Sequence, residues 1–485
     1  MNVMNESLNT APAMIRRTSP EVLAPAGNLK SFKAAIDFGA DAVYCSGKMF
    51  GMRSAPKNLS LEEIAEARDY AHARGARIYI TCNILPRNEE IEGIREYIGQ
   101  LADIGVDAII VTDIGVMMMA HRIAPNMELH VSTQAGVTNW LAANELHELG
   151  AKRVVLAREL SLDTVRGIRA NVPDDLDIEA FVHGSMCMAF SGRCLISNYL
   201  TGRDGNHGEC AQPCRWKYHL VEEKRPGQYF PIEETDKGSY IFNSQDMCML
   251  EHIGDVIDAG VTSLKIEGRA KSVYYISAMT NAYKCAVNLC MEADDPRDVQ
   301  LPDWLKAEPY KVSHRDYSTG FWYPEHKVAQ NADRNGYYRD WVLVGETRSW
   351  QDGRLTFMGH NKITPGQTVE ILRPGQPPVR IESADDSFLD ADGVPVAAAA
   401  YPTRTFSMAC PEPVADGLMM RSPAPNRTLR PNDPGGRTLD NRIVQRLNKR
   451  DKDHTCPTTT PLNTTTKSST AARFPATTRP AAPSR

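Results

Sequence analysis

Long apolar runs are missing from this chain: none reaches the roughly 18 residues that a bilayer-spanning helix needs, so no membrane partner is expected. The opening stretch MNVMNESLNTAPAMIRRTSPE places two arginines after scattered apolar side chains and holds no hydrophobic segment of leader length, which predicts a cytoplasmic protein. The short motifs of common hydrolases are absent too. His147 and Glu148 begin an HExxH-like pattern that fails at Ala151, and no G-x-S-x-G elbow occurs in the 485 residues. Positive charge is scarce outside the C-terminus. Residues 421–485 carry 13 Lys and Arg against 4 Asp and Glu, so a whole-chain charge of −5 leaves the first 420 residues at −14. A body that acidic is not a nonspecific nucleic-acid binder; RNA contact must come from a local patch or the tail.

What is present first is a recurring phrase: a helical stretch, a glycine, then a short β-branched run ending in polar residues. Eight such runs read as strands: 22–27, 40–47, 77–83, 107–113, 128–135, 153–159, 178–184 and 263–269. Gly39, Gly75, Gly105 and Gly150 stand where helices should end. Eight strands alternating with helices predict a (β/α)8 TIM-like barrel over residues 21–330, after a flexible N-terminus of residues 1–20. An open doubly wound sheet is the alternative, but its dinucleotide fingerprint is missing. Between the last two strands, residues 185–262 far exceed a normal connecting loop and predict a Cys-rich insertion. Short strands divided by Gly, Pro and Asp predict a small antiparallel β-barrel-like domain over 331–410. A Thr/Pro-rich basic tail, 411–485, has too few apolar residues to order itself.

In such barrels chemistry sits at the carboxyl ends of the strands. Those ends carry Tyr44, Asn83, Asp113, Gln134, Arg158, Glu159, His183, Glu267 and Arg269. Each has an ordinary structural use, as a helix cap or an internal ion pair. Together they form a polar mouth of mixed charge, suited to a small anionic or polar ligand.

The sharpest chemical signal is EAFVHGSMCMAFSGRCLISNYLTGRDGNHGECAQPCRW. Cys187, Cys194, Cys210 and Cys214 fall within 28 residues, where an even scatter of the 11 cysteines would place fewer than one. Four thiolates suffice to hold an iron–sulfur cluster or to close a structural zinc site. Zinc knuckles favour two tight Cys pairs, and only Cys210 and Cys214 are close, which tilts the reading towards iron–sulfur and keeps zinc as the alternative. Cys248 is the substitute fourth ligand. The remaining cysteines read as buried or lone thiols.

The run Glu179, Phe181, Gly184, Ser185, Cys187, Gly192, Cys194, Ser197 resembles the signature of the U32 family of collagenase-like peptidases. LAPAGNLKSFKAAIDFGADAVY, VSTQAGVTNW, ARELSL and SLKIEGRAKSVYY resemble further family blocks in the same order, over about residues 21–410. Within the family the chain is similar to the branch that modifies tRNA. That resemblance implies prephenate-dependent hydroxylation of the wobble uridine to 5-hydroxyuridine, with a 4Fe-4S cluster on Cys187, Cys194, Cys210 and Cys214. The expected partners are then the tRNA anticodon loop, prephenate and an electron-donor protein.

Residue roles follow from the chemistry of those ligands. Two carboxylates of prephenate call for Arg158 and Arg269, with Gln134 and Asn83 as neutral donors and Tyr44 and Glu267 completing the substrate site. His183 or Glu159 is the candidate proton shuttle. Two alternatives from other classes stand beside this reading. One is a U32-type peptidase, with Cys187 and His183 as its dyad, which leaves three more cysteines unexplained. The other is a noncatalytic iron–sulfur partner of another hydroxylase.

Overall fold

The computed structural model describes residues 19–51, 57–187, 190, 194–205, 209–215, 220–221, 229–230, 244–325, 337–383 and 388–425. The expected flexible segment 1–20 lies outside them up to residue 18, and the expected basic tail lies outside them from residue 426. No helix among the described residues is long and apolar enough to cross a membrane.

All eight expected strands form. They are β1 (Glu21–Pro25), β2 (Ala42–Cys45), β3 (Arg77–Cys82), β4 (Ala108–Val111), β5 (Glu128–Val131), β6 (Arg153–Val155), β7 (Asp177–Ser185) and a closing strand, Ser263–Ile266. Each pairs in parallel with the next, and the closing strand pairs in parallel with both β7 and β1, so the sheet is a closed barrel. The strands are short and β-branched because both faces are covered: every residue of β2 and β4 is buried. Their outward faces pack on helices α1 (Leu29–Asp37), α2 (Leu61–His72), α3 (Ile91–Ile104), α4 (Ile114–Ile123), α5 (Trp140–Glu148) and α6 (Leu162–Arg169). Side-chain caps start all of these helices but α3. Ser60 and Glu63 form a reciprocal capping box on α2, and Asn28, Asp113, Asn139 and Ser161 each accept a backbone N–H. The four expected terminating glycines all adopt left-handed φ, from 70° at Gly75 to 98° at Gly150.

The barrel interior is partly ionic. At the amino-terminal floor Arg153, 3% exposed, lies 2.6 Å from Glu21, 3.1 Å from Asp177 and 3.3 Å from Glu179. Lys265 lies 2.6 Å from Glu179. Burial would raise the Glu21 carboxyl, but Arg153 and donors from Tyr79 and Ser263 hold it below its usual range. Above this floor Leu23, Ala42, Tyr44, Tyr79, Ala108 and Ile110 pack as an inner apolar cluster.

Two boundaries differ from expectation. The insertion is shorter than 185–262, because Asp246–Cys248 returns as a strand antiparallel to the end of β7 and helix α8 (Ile253–Asp258) follows it. α7 (Ile196–Thr201) lies within the insertion. The C-terminal β unit runs past 410: its seven-stranded antiparallel sheet includes Met419–Pro423, paired between Trp341–Gln351 and Thr368–Arg373. Arg421, expected within the basic tail, is fully buried there and donates to Glu308 at 2.7 Å and Glu370 at 2.7 Å. The long helix α9 (Val273–Glu292) joins the two parts, with Asn281 accepting from Gly375 N at 2.7 Å and donating to the Arg373 carbonyl at 3.2 Å.

Candidate active site at the barrel mouth

The strand ends do gather several of the expected residues. Arg158 follows β6; its guanidinium stacks 3.7 Å from the Phe181 ring centre, donates to the Ser185 carbonyl at 3.0 Å and stands 3.7 Å from Glu267. Glu267 is placed by the close approach of the closing strand to β7. There Gly184 has φ 109°, and a Cβ on it would lie 2.6 Å from the Glu267 carbonyl oxygen, so only glycine fits without strain. Tyr44 donates to the Ile266 carbonyl at 3.0 Å, with Lys265 4.4 Å above its ring. Arg269, 5% exposed, donates to Thr81 at 2.9 Å. Asn83 accepts from Thr112 at 3.1 Å through its carbonyl. Phe181 belongs to this layer and Lys265 reaches from the floor to its underside, although position alone did not single them out; inward alternation along β7 and the closing strand is the signal that finds them.

Other expected residues have different surroundings. His183, 1% exposed, sits among the rings of Tyr275, Tyr283 and Tyr317, with Nδ1 3.2 Å from the Tyr283 hydroxyl. Burial pushes its pKa down to about 3, although Asp246 pulls the other way, so it stays neutral at physiological pH. Its Nε2 has no hydrogen-bond partner, so neither ring nitrogen pairs with the Cys187 thiol as a protease dyad would require. Asp113 is occupied in capping α4, accepting from Val116 N at 2.9 Å. Glu159 is partly buried beside Arg158 at the mouth.

Beyond β7 the chain enters the cysteine segment. No described cysteine is in a disulfide; Cys187 is exposed and Cys194, Cys210 and Cys214 are partly exposed. Cys45, Cys82, Cys285, Cys290 and Cys410 are buried, and burial pushes the Cys45 and Cys82 thiols up to about 12. Cys194 and Cys210 flank Gly205, where an added Cβ would lie 3.9 Å from the Cys194 carbonyl oxygen and 3.6 Å from Cys210 Cβ. Ala211 N donates to Ser197 Oγ at 3.0 Å, tying the second pair of cysteines to α7. Four thiols match a thiolate-held group in kind and number only. Among the described residues no three His, Cys, Asp or Glu side chains converge on a metal-binding position.

Beside the mouth, at the ends of β4 and β5, lies a cleft of about 790 Å³ lined by Val111, Met117, Val131, Gln134 and Leu146 and bordered by Leu195. Gln134, 6% exposed, accepts from Thr112 at 3.3 Å, and its amide nitrogen has no partner.

Comparison with known proteins places this architecture. The chain is 35% identical over 431 residues to tRNA hydroxylation protein P1 of Bacillus subtilis, covering 87% of this chain and 99% of that one. It is 41% identical over 361 residues to tRNA hydroxylation protein P of Helicobacter pylori, covering 73% and 83%. A 23S rRNA 5-hydroxycytidine synthase of Escherichia coli is 39% identical over 272 residues, covering 56% of this chain and 40% of that one. The model of peptidase family U32 matches residues 27–332, and that of the family's C-terminal domain matches 339–421, the barrel and the β unit in turn. The chain therefore belongs to peptidase family U32.

Proposed function

We propose that this protein hydroxylates carbon 5 of the wobble uridine in tRNA, with prephenate as co-substrate and a 4Fe-4S cluster held by Cys187, Cys194, Cys210 and Cys214. The observation that carries this reading is the accessible cysteine segment joined directly to the mouth: Arg158 holds the carbonyl of Ser185, two residues before Cys187. Relatives named for tRNA hydroxylation and for 5-hydroxycytidine synthesis support hydroxylation of a nucleic-acid pyrimidine. Replacing C–H by C–OH at that carbon takes two electrons from the base and adds an oxygen atom brought by an external oxidant; the cluster, when bound, would relay electrons one at a time.

The chain's own residues do the binding and positioning. Arg158 and Arg269 meet the two carboxylates of prephenate, each already braced by an aromatic ring or a hydroxyl so that little side-chain freedom is lost on binding. Glu267, anchored against Arg158, handles the proton at the mouth in place of the sealed, neutral His183. The wobble base is unpaired in the anticodon loop and enters at low unstacking cost. An electron-donor protein completes the system.

The test is nucleoside analysis of tRNA from a deletion strain complemented with the wild-type chain or with Cys194→Ala. Loss of 5-hydroxyuridine in the deletion, restored only by wild type, is the expected result. A deletion strain with an unchanged level of the nucleoside overturns the reading.

A further inference from the structure

Apart from Gln134, the cleft beside β4 and β5 holds no residue given a role in binding prephenate, and three observations define what it accepts. Its lining includes the carboxylates Asp113 and Glu145 and no Lys or Arg, so a dianion would enter against the local charge. Its walls are otherwise mostly apolar, with Ile114 58% and Leu195 69% exposed at the rim. A neutral, flat, largely apolar ring suits such walls.

The third observation is Gln134. A buried amide nitrogen without a partner is costly, and a ligand that supplies an acceptor removes that cost. Thr112 has one hydroxyl proton and two acceptors within reach, the Asn83 carbonyl at 3.1 Å and Gln134 Oε1 at 3.3 Å. If that proton goes to Asn83, the Gln134 amide can turn over and donate to Thr112, which leaves its carbonyl orphaned instead. Both orientations are satisfied by a ring edge that offers a carbonyl beside an N–H, the pattern of a uracil edge.

We propose that this cleft receives the neutral pyrimidine base, with Gln134 reading its edge and Leu195 holding it beside Cys194. The proposal rests on the function proposed above and deepens it. It moves Gln134 from the prephenate site to the base, and divides the mouth into an anion place at Arg158 and Arg269 and a neutral-ring place here.

The experiment measures binding of the full chain to an anticodon stem-loop with uridine at the wobble position, and to the same loop made abasic there. The wild type is expected to prefer the uridine loop about tenfold, and Gln134→Leu to cut that preference to about twofold without changing affinity for the abasic loop or for prephenate. Ile114→Trp, at an exposed position where folding is not at stake, is expected to fill the entrance and abolish the preference. Equal wild-type affinity for both loops, an undiminished preference in Ile114→Trp, or weakened prephenate binding with intact base preference in Gln134→Leu each overturns the proposal. Base preference in the purified protein, with 5-hydroxyuridine unchanged in the deletion strain, would leave the cleft standing and remove the functional reading. Loss of the nucleoside in that strain without any base preference would do the reverse.

Discussion

At the floor of the barrel Arg153 touches three carboxylates and Lys265 touches one of them, whereas beside the mouth the Gln134 amide nitrogen has no partner, and in the insertion that follows β7 one thiol is exposed and three are partly exposed. Both ends are polar and each keeps an unpartnered nitrogen, Arg153 Nε at the floor and the Gln134 amide at the mouth, but the floor's ion pairs close at 2.6–3.3 Å while the mouth's Arg158–Glu267 pair stands at 3.7 Å. Ions that satisfy each other fix a structure and leave nothing for a ligand. A buried donor without a partner costs stability, and one that lines an open cleft is a place where a ligand can offset that cost. The described cysteines divide too: the buried ones behave as small apolar side chains, and the four in the insertion are exposed or partly exposed, as is Cys248 on the returning strand.

The largest expected effect separates those two cysteine classes. In anaerobically purified protein, Cys194→Ala should lose most of the iron and acid-labile sulfide, while Cys410→Ala keeps both and loses only folding stability. Equal retention in the two variants would erase the distinction. Next is the floor. Arg153→Met leaves Glu21 and Asp177 without that cation and Glu179 with Lys265, and should cost about 3–5 kcal/mol in urea unfolding. A smaller loss would mean that the floor reorganises. Gly184→Ala, forced against the Glu267 carbonyl at left-handed φ, should cost about 1–3 kcal/mol and also raise KM for prephenate by displacing Glu267 from Arg158.

The last effect is a pH slope, small near neutrality. The folded state refuses a proton at His183 until about pH 3, while the unfolded chain accepts one below 6.5. Stability therefore falls as pH drops from 6.5 towards 3, by about 1.4 kcal/mol per unit from this group. His183→Phe should flatten that acid limb by one proton. Identical slopes in the variant and wild type would place the titration elsewhere.

The barrel was legible because its signals are local: β-branched runs buried on both faces and glycines that end helices at left-handed φ. The cysteine segment was legible by number and spacing. Arg421 was not, since a charge before a Pro-rich stretch reads as exposed, and only the folded neighbours Glu308 and Glu370 show why it is buried. The strand Asp246–Cys248 is three residues long, too short for periodicity to reveal. His183 carries the right chemistry for a proton shuttle, but the three tyrosines around it come from α9 and from Tyr317, about a hundred residues away, so its neutrality is a tertiary fact.

The pairing of Ser185 with Asp246 and of Gly184 with Met247 has an evolutionary corollary. Sixty residues depart and return across the rungs of one hairpin stem, so their ends are held together by the stem whatever hangs from it. Lengthening, trimming or exchanging that cassette changes the closure entropy only slowly with its size. A lineage can thus re-equip the top of this scaffold while the wall beneath it folds as before.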